Sequence, residues 1–156
     1  MIVSNATPLI AFARIGELAL LERIVEQLTL PQAVWQEVTE ASDRPGAETV
    51  RQAPWIDVQS VSGVSADLLA LLDRGEAEVI ALAEELGADE VILDERAARA
   101  IAITRGLPVI GTAGLVVRAK DRNLIPAVRP LLTRMQEAGM RYSQRFFESL
   151  LEQLGE

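Results

Sequence analysis

The chain alternates short apolar runs with stretches of helical periodicity, and that alternation leaves few folds open. Ile2-Val3-Ser4, Leu28-Thr29-Leu30, Trp55 to Val61, Glu90-Val91-Ile92-Leu93 and Leu107-Pro108-Val109-Ile110 read as strands. Helical stretches separate them, so successive strands run the same way and each return crosses a face of the sheet. The pattern predicts a three-layer α/β/α fold with a short, mostly parallel five-stranded sheet. The fourth run is apolar enough to be buried on both faces. Pro108 in the fifth suits an edge.

Turn and cap residues set the expected helix limits. Thr7 is read as a cap with Pro8 in the first turn, and Gly16 as an interruption. Further helices are expected from Glu17 to Gln27, from Pro31 to about Ala41, from Ala47 to Gln52 and from Asp67 to Asp73. Others run from Gly75 to Leu86, Glu95 to Arg105, Thr112 to about Arg122, Pro126 to Ala138, and Ser143 to Leu154. Ser42 to Gly46 reads as a loop. With no repeat and no long linker, residues 1–156 are expected to form one domain, 126–156 being its C-terminal helical extension.

Composition narrows the chemistry. There is no histidine and no cysteine. Ser-His triads, imidazole metal sites and thiolate chemistry are therefore excluded, and the reducing cytosol is the natural compartment. No leader and no membrane-length apolar run are seen, so the expectation is a cytoplasmic protein. The net charge is −8, but it is unevenly spread. From Asp94 to Arg145 ten basic residues face four acids, so that stretch carries +6 and the remainder −14. Such a division could set a metal site beside a phosphate-binding face, or simply form solvated helix surfaces.

In a parallel sheet, ligands bind outside the carboxyl ends of the strands. Asn5 follows the first strand, Asp94 and Glu95 the fourth, Gly111 and Thr112 the fifth. Glu76 opens a helix whose Val79, Ile80 and Ala83 share its side. It could equally be an acid favoured by a helix N-terminus. Glu78 faces away from Glu76 and reads as a solvated or second-shell acid. Glu37 lies beside the apolar stripe of its helix, where an ordinary surface Glu would also fit. Asp94 sits between a buried strand and a helix, where it could be an N-cap. Carboxylates within ~4–5 Å of one another cannot all stay ionised without a cation. The hard oxygen ligands favour Mg²⁺ or Mn²⁺.

Val3-Ser4-Asn5-Ala6-Thr7-Pro8-Leu9-Ile10, Leu30 to Val38 with Glu37, Gly75 to Ala83 with Glu76, Val91 to Arg96 with Asp94, and Gly106 to Thr112 occur in this order. In that order and spacing the chain resembles the PIN-domain ribonucleases, in particular VapC-like toxins, over essentially its whole length. The segment from Gly111 through Ser143 to Glu156 resembles a subgroup with an uncharacterised C-terminal part. The resemblance implies a metal-dependent endoribonuclease whose catalytic and metal-binding residues are Asp94, Glu76, Glu37 and Asn5, with Glu78 and Glu95 as alternates. It implies Thr7, Arg96, Arg99 and Thr112 as substrate-binding residues, Mg²⁺ or Mn²⁺ as cofactor, and RNA and a small antitoxin as partners. A homodimer through the amphipathic first helices is also implied. Asn5 departs from the family pattern, which has Asp there. An amide oxygen can ligate a cation but brings no charge. A second reading is therefore a catalytically impaired PIN domain that binds RNA or protein. A phospho-receiver domain would need a lysine after the last strand. Lys120, the only lysine, lies well into a helix.

Overall fold

The structure is a computed structural model and describes residues 1–40 and 44–156. Five strands are present: β1 (Ile2–Ser4), β2 (Leu28–Pro31), β3 (Ile56–Gln59), β4 (Glu90–Ile92) and β5 (Val109–Ile110). The helices are α1 (Thr7–Arg14), α2 (Leu18–Val25), α3 (Gln32–Thr39), α4 (Ala47–Arg51), α5 (Ala66–Leu71), α6 (Arg74–Leu86), α7 (Arg96–Thr104), α8 (Thr112–Asp121), α9 (Arg129–Glu137) and α10 (Gln144–Gln153).

The strands line up in the order β3-β2-β1-β4-β5, and every neighbouring pair is parallel. Val3 sits at the centre, paired with Thr29 on one side and Val91 on the other. The helices form two sets that pack among themselves. α1, α2, α8 and α9 make one set, and α3 to α7 the other. With the sheet between them, this is the expected three-layer α/β/α arrangement. Leu9, Phe12, Leu21 and Ile24 from the first set, Ile80 and Leu82 from the second, and Leu28, Leu30, Ile92 and Leu93 at the strands are fully buried. β5 is an edge strand, as Pro108 suggested.

Several helix starts differ from the sequence expectation, each for a local reason. Thr7 does not cap α1. The cap position falls on Ala6, which has helical backbone angles, and Thr7 is the first helical residue. Pro31 does not open α3. It stays extended, pairs with Gln59 as the last residue of β2, and leaves Gln32 to begin the helix. α2 begins at Leu18 and ends at Val25, because Glu26 takes a positive φ of 62°. α6 starts one residue early, capped by Asp73. α9 starts at Arg129, and the proline in its first turn is Pro130 rather than Pro126. The expected helix end at Ala41 and the loop positions Ser42 and Asp43 lie outside the described residues. Among the described residues no helix is long and apolar enough to cross a membrane.

The chain's last residue locks the C-terminal helices to the body. The Glu156 carboxylate accepts the backbone N–H groups of Val128 and Arg129 at 3.0 Å, at the start of α9. It also receives the Lys120 ammonium of α8 at 2.8 Å. These donors, the Arg129 amide first, hold its pKa down to about 2. A depressed carboxylate stabilises the fold above its unfolded-state pKa and loses that effect as pH falls through the folded value. Glu156→Ala is expected to destabilise the protein by about 1 kcal/mol at neutral pH, the usual worth of a helix N-terminal cap. In thermal melts the gap from wild type should close between pH 4.5 and 2.

Candidate functional site

The sheet order changes direction between β1 and β4. The chain leaves β1 for β2 on one side, and leaves β4 for β5 on the other. A crevice opens outside the carboxyl ends at such a switch point, because the two connections diverge there. Asn5 stands on one side of it. Its backbone N–H donates to the Ile92 carbonyl of β4 at 3.2 Å, and the residue is only 6% exposed. Its side-chain Oδ1 is buried and has no hydrogen-bond partner among the described residues.

Asp94 stands on the other side. It does not cap the helix that follows it. Glu95 takes the cap position of α7, with no side-chain capping bond, so that helix begins one residue later than expected. The Asp94 carboxylate turns instead to the next connection. Oδ1 accepts the Thr112 N–H at 2.9 Å and Oδ2 accepts the Thr112 hydroxyl at 2.6 Å, at the first residue of α8. Gly111 makes this approach possible. A Cβ there would lie 3.1 Å from Asp94 Oδ1 and 3.1 Å from an Arg99 guanidinium nitrogen. Arg99 donates to the Leu93 carbonyl at 2.8 Å and so holds the end of β4. Thr112 is fully buried, and both its donors go to Asp94. It orients Asp94 and is not open to a substrate, contrary to expectation. Thr7 is half-buried at the start of α1, and Arg96 is exposed at the start of α7.

A second group of acids comes from α3, α6 and α7. Asp73 caps α6 through a reciprocal pair: its Oδ1 accepts the Glu76 N–H at 2.8 Å, and Glu76 Oε2 accepts the Asp73 N–H at 3.3 Å. α3 packs on α6 and brings Glu37 alongside. A Cβ on Gly75 would lie 3.5 Å from both Glu37 Oε2 and Asp73 Oδ1. Partial desolvation, then the Asp73 charge, raises the Glu37 pKa, and Arg44 opposes the rise. Glu76 is raised by desolvation and then by Asp73. The Asp73 amide pulls the other way, while Glu95 and Glu37 add to the rise. Asp73 was not among the sequence candidates, although Asp73-x-x-Glu76 is a legible capping box. Glu78 is not solvated. It is buried, accepts the Ala33 N–H at 3.1 Å, and pairs with Arg74 at 2.9 Å, so it serves the start of α3.

All these oxygens suit a hard divalent cation. Among the described residues, however, no three acidic side chains are grouped so as to hold one ion. The donor chemistry fits a metal. The charge count is one short, because Asn5 contributes an uncharged oxygen beside Asp94's edge.

The basic stretch is mostly structural. Arg105 pairs with Glu84, Arg118 with Glu90, Lys120 with Glu156, and Arg134 with Glu17. Arg99, Arg122 and Arg129 donate to backbone carbonyls. Of the ten basic residues, Arg96, Arg141 and Arg145 are exposed and make no hydrogen bond or ion pair among the described residues. The expected phosphate face is thus reduced to three arginines.

One further residue reaches this edge from the C-terminal segment. Tyr142 lies close enough to Asp94 for that charge, after burial, to raise its phenol pKa well above the usual value. Its hydroxyl is buried without a partner among the described residues. Sequence reading passed over it, although Arg141-Tyr142 and Arg145-Phe146 interleave base and ring.

A parallel sheet of this order, covered by helices on both faces, defines an open-sheet α/β domain. Residues 1–156 match the model of a family described as a PIN domain, and the chain belongs to the PIN-domain family. PIN domains are in general nucleases that use divalent metal ions. A comparison with curated proteins finds no match.

The raised Glu37 pKa has a direct consequence. A carboxyl raised on folding weighs against the folded state once it ionises, so stability is lost as pH rises through the folded pKa. Glu37→Gln is expected to melt higher than wild type at pH 8 in EDTA. The difference should vanish as pH falls below the ordinary range of a glutamate carboxyl, about 4.3.

Proposed function

We propose that residues 1–156 act as one PIN-type domain that hydrolyses RNA phosphodiesters with Mg²⁺ or Mn²⁺, as the toxin of a toxin–antitoxin pair. The observation that carries this reading is the gathering of Glu37, Asp73 and Glu76 at the start of α6. Desolvation and then Asp73 raise the Glu37 pKa against the pull of Arg44, and desolvation, Asp73, Glu95 and Glu37 raise that of Glu76. Uncompensated carboxylates of this kind favour a bound cation. In the proposed site Asp94, Glu76, Glu37 and the unpaired Asn5 oxygen would hold the ion. Once bound, it would supply Lewis-acid stabilisation of the charge that builds on a phosphodiester.

The chain's own groups would do the rest. Thr112 fixes the Asp94 carboxylate through two hydrogen bonds, which sets its rotamer before any ligand arrives. Arg96, exposed at the start of α7 beside Asp94, is placed to meet a phosphate. The partners on this reading are RNA and a small antitoxin; the apolar side of the first helices, with Leu18 and Leu21, is taken up by the core and is not free for a second copy.

A second reading rests on Asn5 and on the absence of a three-acid group among the described residues. It makes the protein an RNA- or protein-binding module with little or no cleavage. One experiment separates the two. Single-stranded RNA is incubated with Mg²⁺ or Mn²⁺ and with wild type, Asp94→Ala or Asn5→Asp. The nuclease reading expects cleavage by wild type, a loss of at least about 100-fold in Asp94→Ala, and a gain in Asn5→Asp. Equal rates for wild type and Asp94→Ala would sink it. Cleavage by Asn5→Asp alone would establish the binding module.

A further inference from the structure

The C-terminal segment carries a stacked pair of rings, of which Tyr142 packs against the core and Phe146 is left exposed. Tyr142 directly precedes Ser143, the N-cap of α10. Its ring stacks on Phe146, with centroids 5.7 Å apart and planes at 28°. Ser143 Oγ accepts the Phe146 N–H at 3.1 Å, which fixes where the second ring stands. A staple on this helix start would pair Tyr142 with Phe147, the fourth helical residue, and not with Phe146, the third. Here Phe146 is 45% exposed, and the buried Tyr142 hydroxyl has no partner among the described residues.

The charges around the rings point the same way. Arg141 and Arg145 each directly precede one of the rings. They are two of the three basic residues in their stretch that are not tied to the protein's own groups. The far end of α10 is anchored by buried Leu151 and by Glu156. Its near end is therefore held at a fixed place, with Tyr142 beside the Asp94 edge. A stacked pair with one exposed ring, flanked by arginines that have no partner among the described residues, suits an alternation of flat π-faces and phosphates, as in a single strand. An acidic peptide would engage the arginines and leave the stacked faces without use.

We propose that Tyr142 and Phe146 form a platform on which a nucleobase of single-stranded RNA stacks, with Arg141 and Arg145 meeting the flanking phosphates. Tyr142 backs the exposed Phe146 ring from beneath. This rests on the RNA reading of the site but not on cleavage, and it gives the C-terminal segment a role in holding substrate.

The test measures binding by the full chain in EDTA, so that nothing is cut. The probe is a short single-stranded RNA carrying 2-aminopurine, whose emission falls when it stacks. Wild type should quench the probe. Phe146→Ala should abolish the quench and weaken binding roughly tenfold, and Phe146→Tyr should restore both. Tyr142→Phe, which keeps the ring beneath Phe146, should keep both the quench and the affinity. Arg141→Gln and Arg145→Gln should each lower the salt slope of log affinity by about 0.7. Circular dichroism checks that the variants fold, and the exposure of Phe146 makes its loss harmless to the core. The proposal is overturned if wild type binds without quenching, or if Phe146→Ala binds and quenches as wild type does. It is also overturned if Phe146→Ala changes only the oligomeric state, which would make the rings a contact between copies. RNA that binds and quenches but is never cleaved with Mg²⁺ or Mn²⁺ supports the platform and removes only the nuclease reading.

Discussion

The parallel pairing of β1 with β4 is the contact on which the rest of the molecule depends. It places two strands distant in sequence at the centre of the sheet, Val3 against Val91 and Ser4 against Ile92. Because the chain leaves these strands in opposite directions, their carboxyl ends are the one place where the two connections part. Asn5 and Asp94 come to that place by register alone. The buried side chains of Val3, Val91, Ile92 and Leu93 make a slip of that register costly, since a shift by one residue would turn apolar groups outward.

The fold was legible because its signals are local. Strand and helix alternation fixed the layer architecture, and Pro108 marked an edge. Strand order was not legible, and with it went the identity of the switch point. Helix starts were misread wherever a proline or a hydroxyl offered a plausible cap but another group did the work, as with Thr7, Pro31 and Pro126. The position of Asp94 directly after β4 was legible, but the hydrogen-bond partners of the acids were not, because those come from elsewhere in the chain. Asp94 is bound by Thr112, eighteen positions on. Glu78 serves the start of α3, forty-five positions back. No periodicity reports such a pairing.

The charge asymmetry has a similar lesson. A run of ten basic residues suggested a phosphate face, yet seven of them bind acids or carbonyls of the same chain. Their work is to fasten α7, α8 and α9 to the body. A short surface ion pair contributes at most about 1 kcal/mol, but a set of them distributed over several helices orients those helices collectively. The arginines left over are the informative ones, and two of the three precede the rings that stack on each other.

The reciprocal bond between Asp73 and Glu76 carries an implication of another kind. Glu76 is at once a lock on the first turn of α6 and a charge among the gathered acids. Any ion that draws its carboxylate away must release the Asp73 amide, at a cost of about 1 kcal/mol to the helix. Ligand affinity and helix integrity are thus antagonists at this residue. A chain under selection for tighter ion binding would have to strengthen α6 elsewhere, and one under selection for a firmer α6 would hold its ion more loosely.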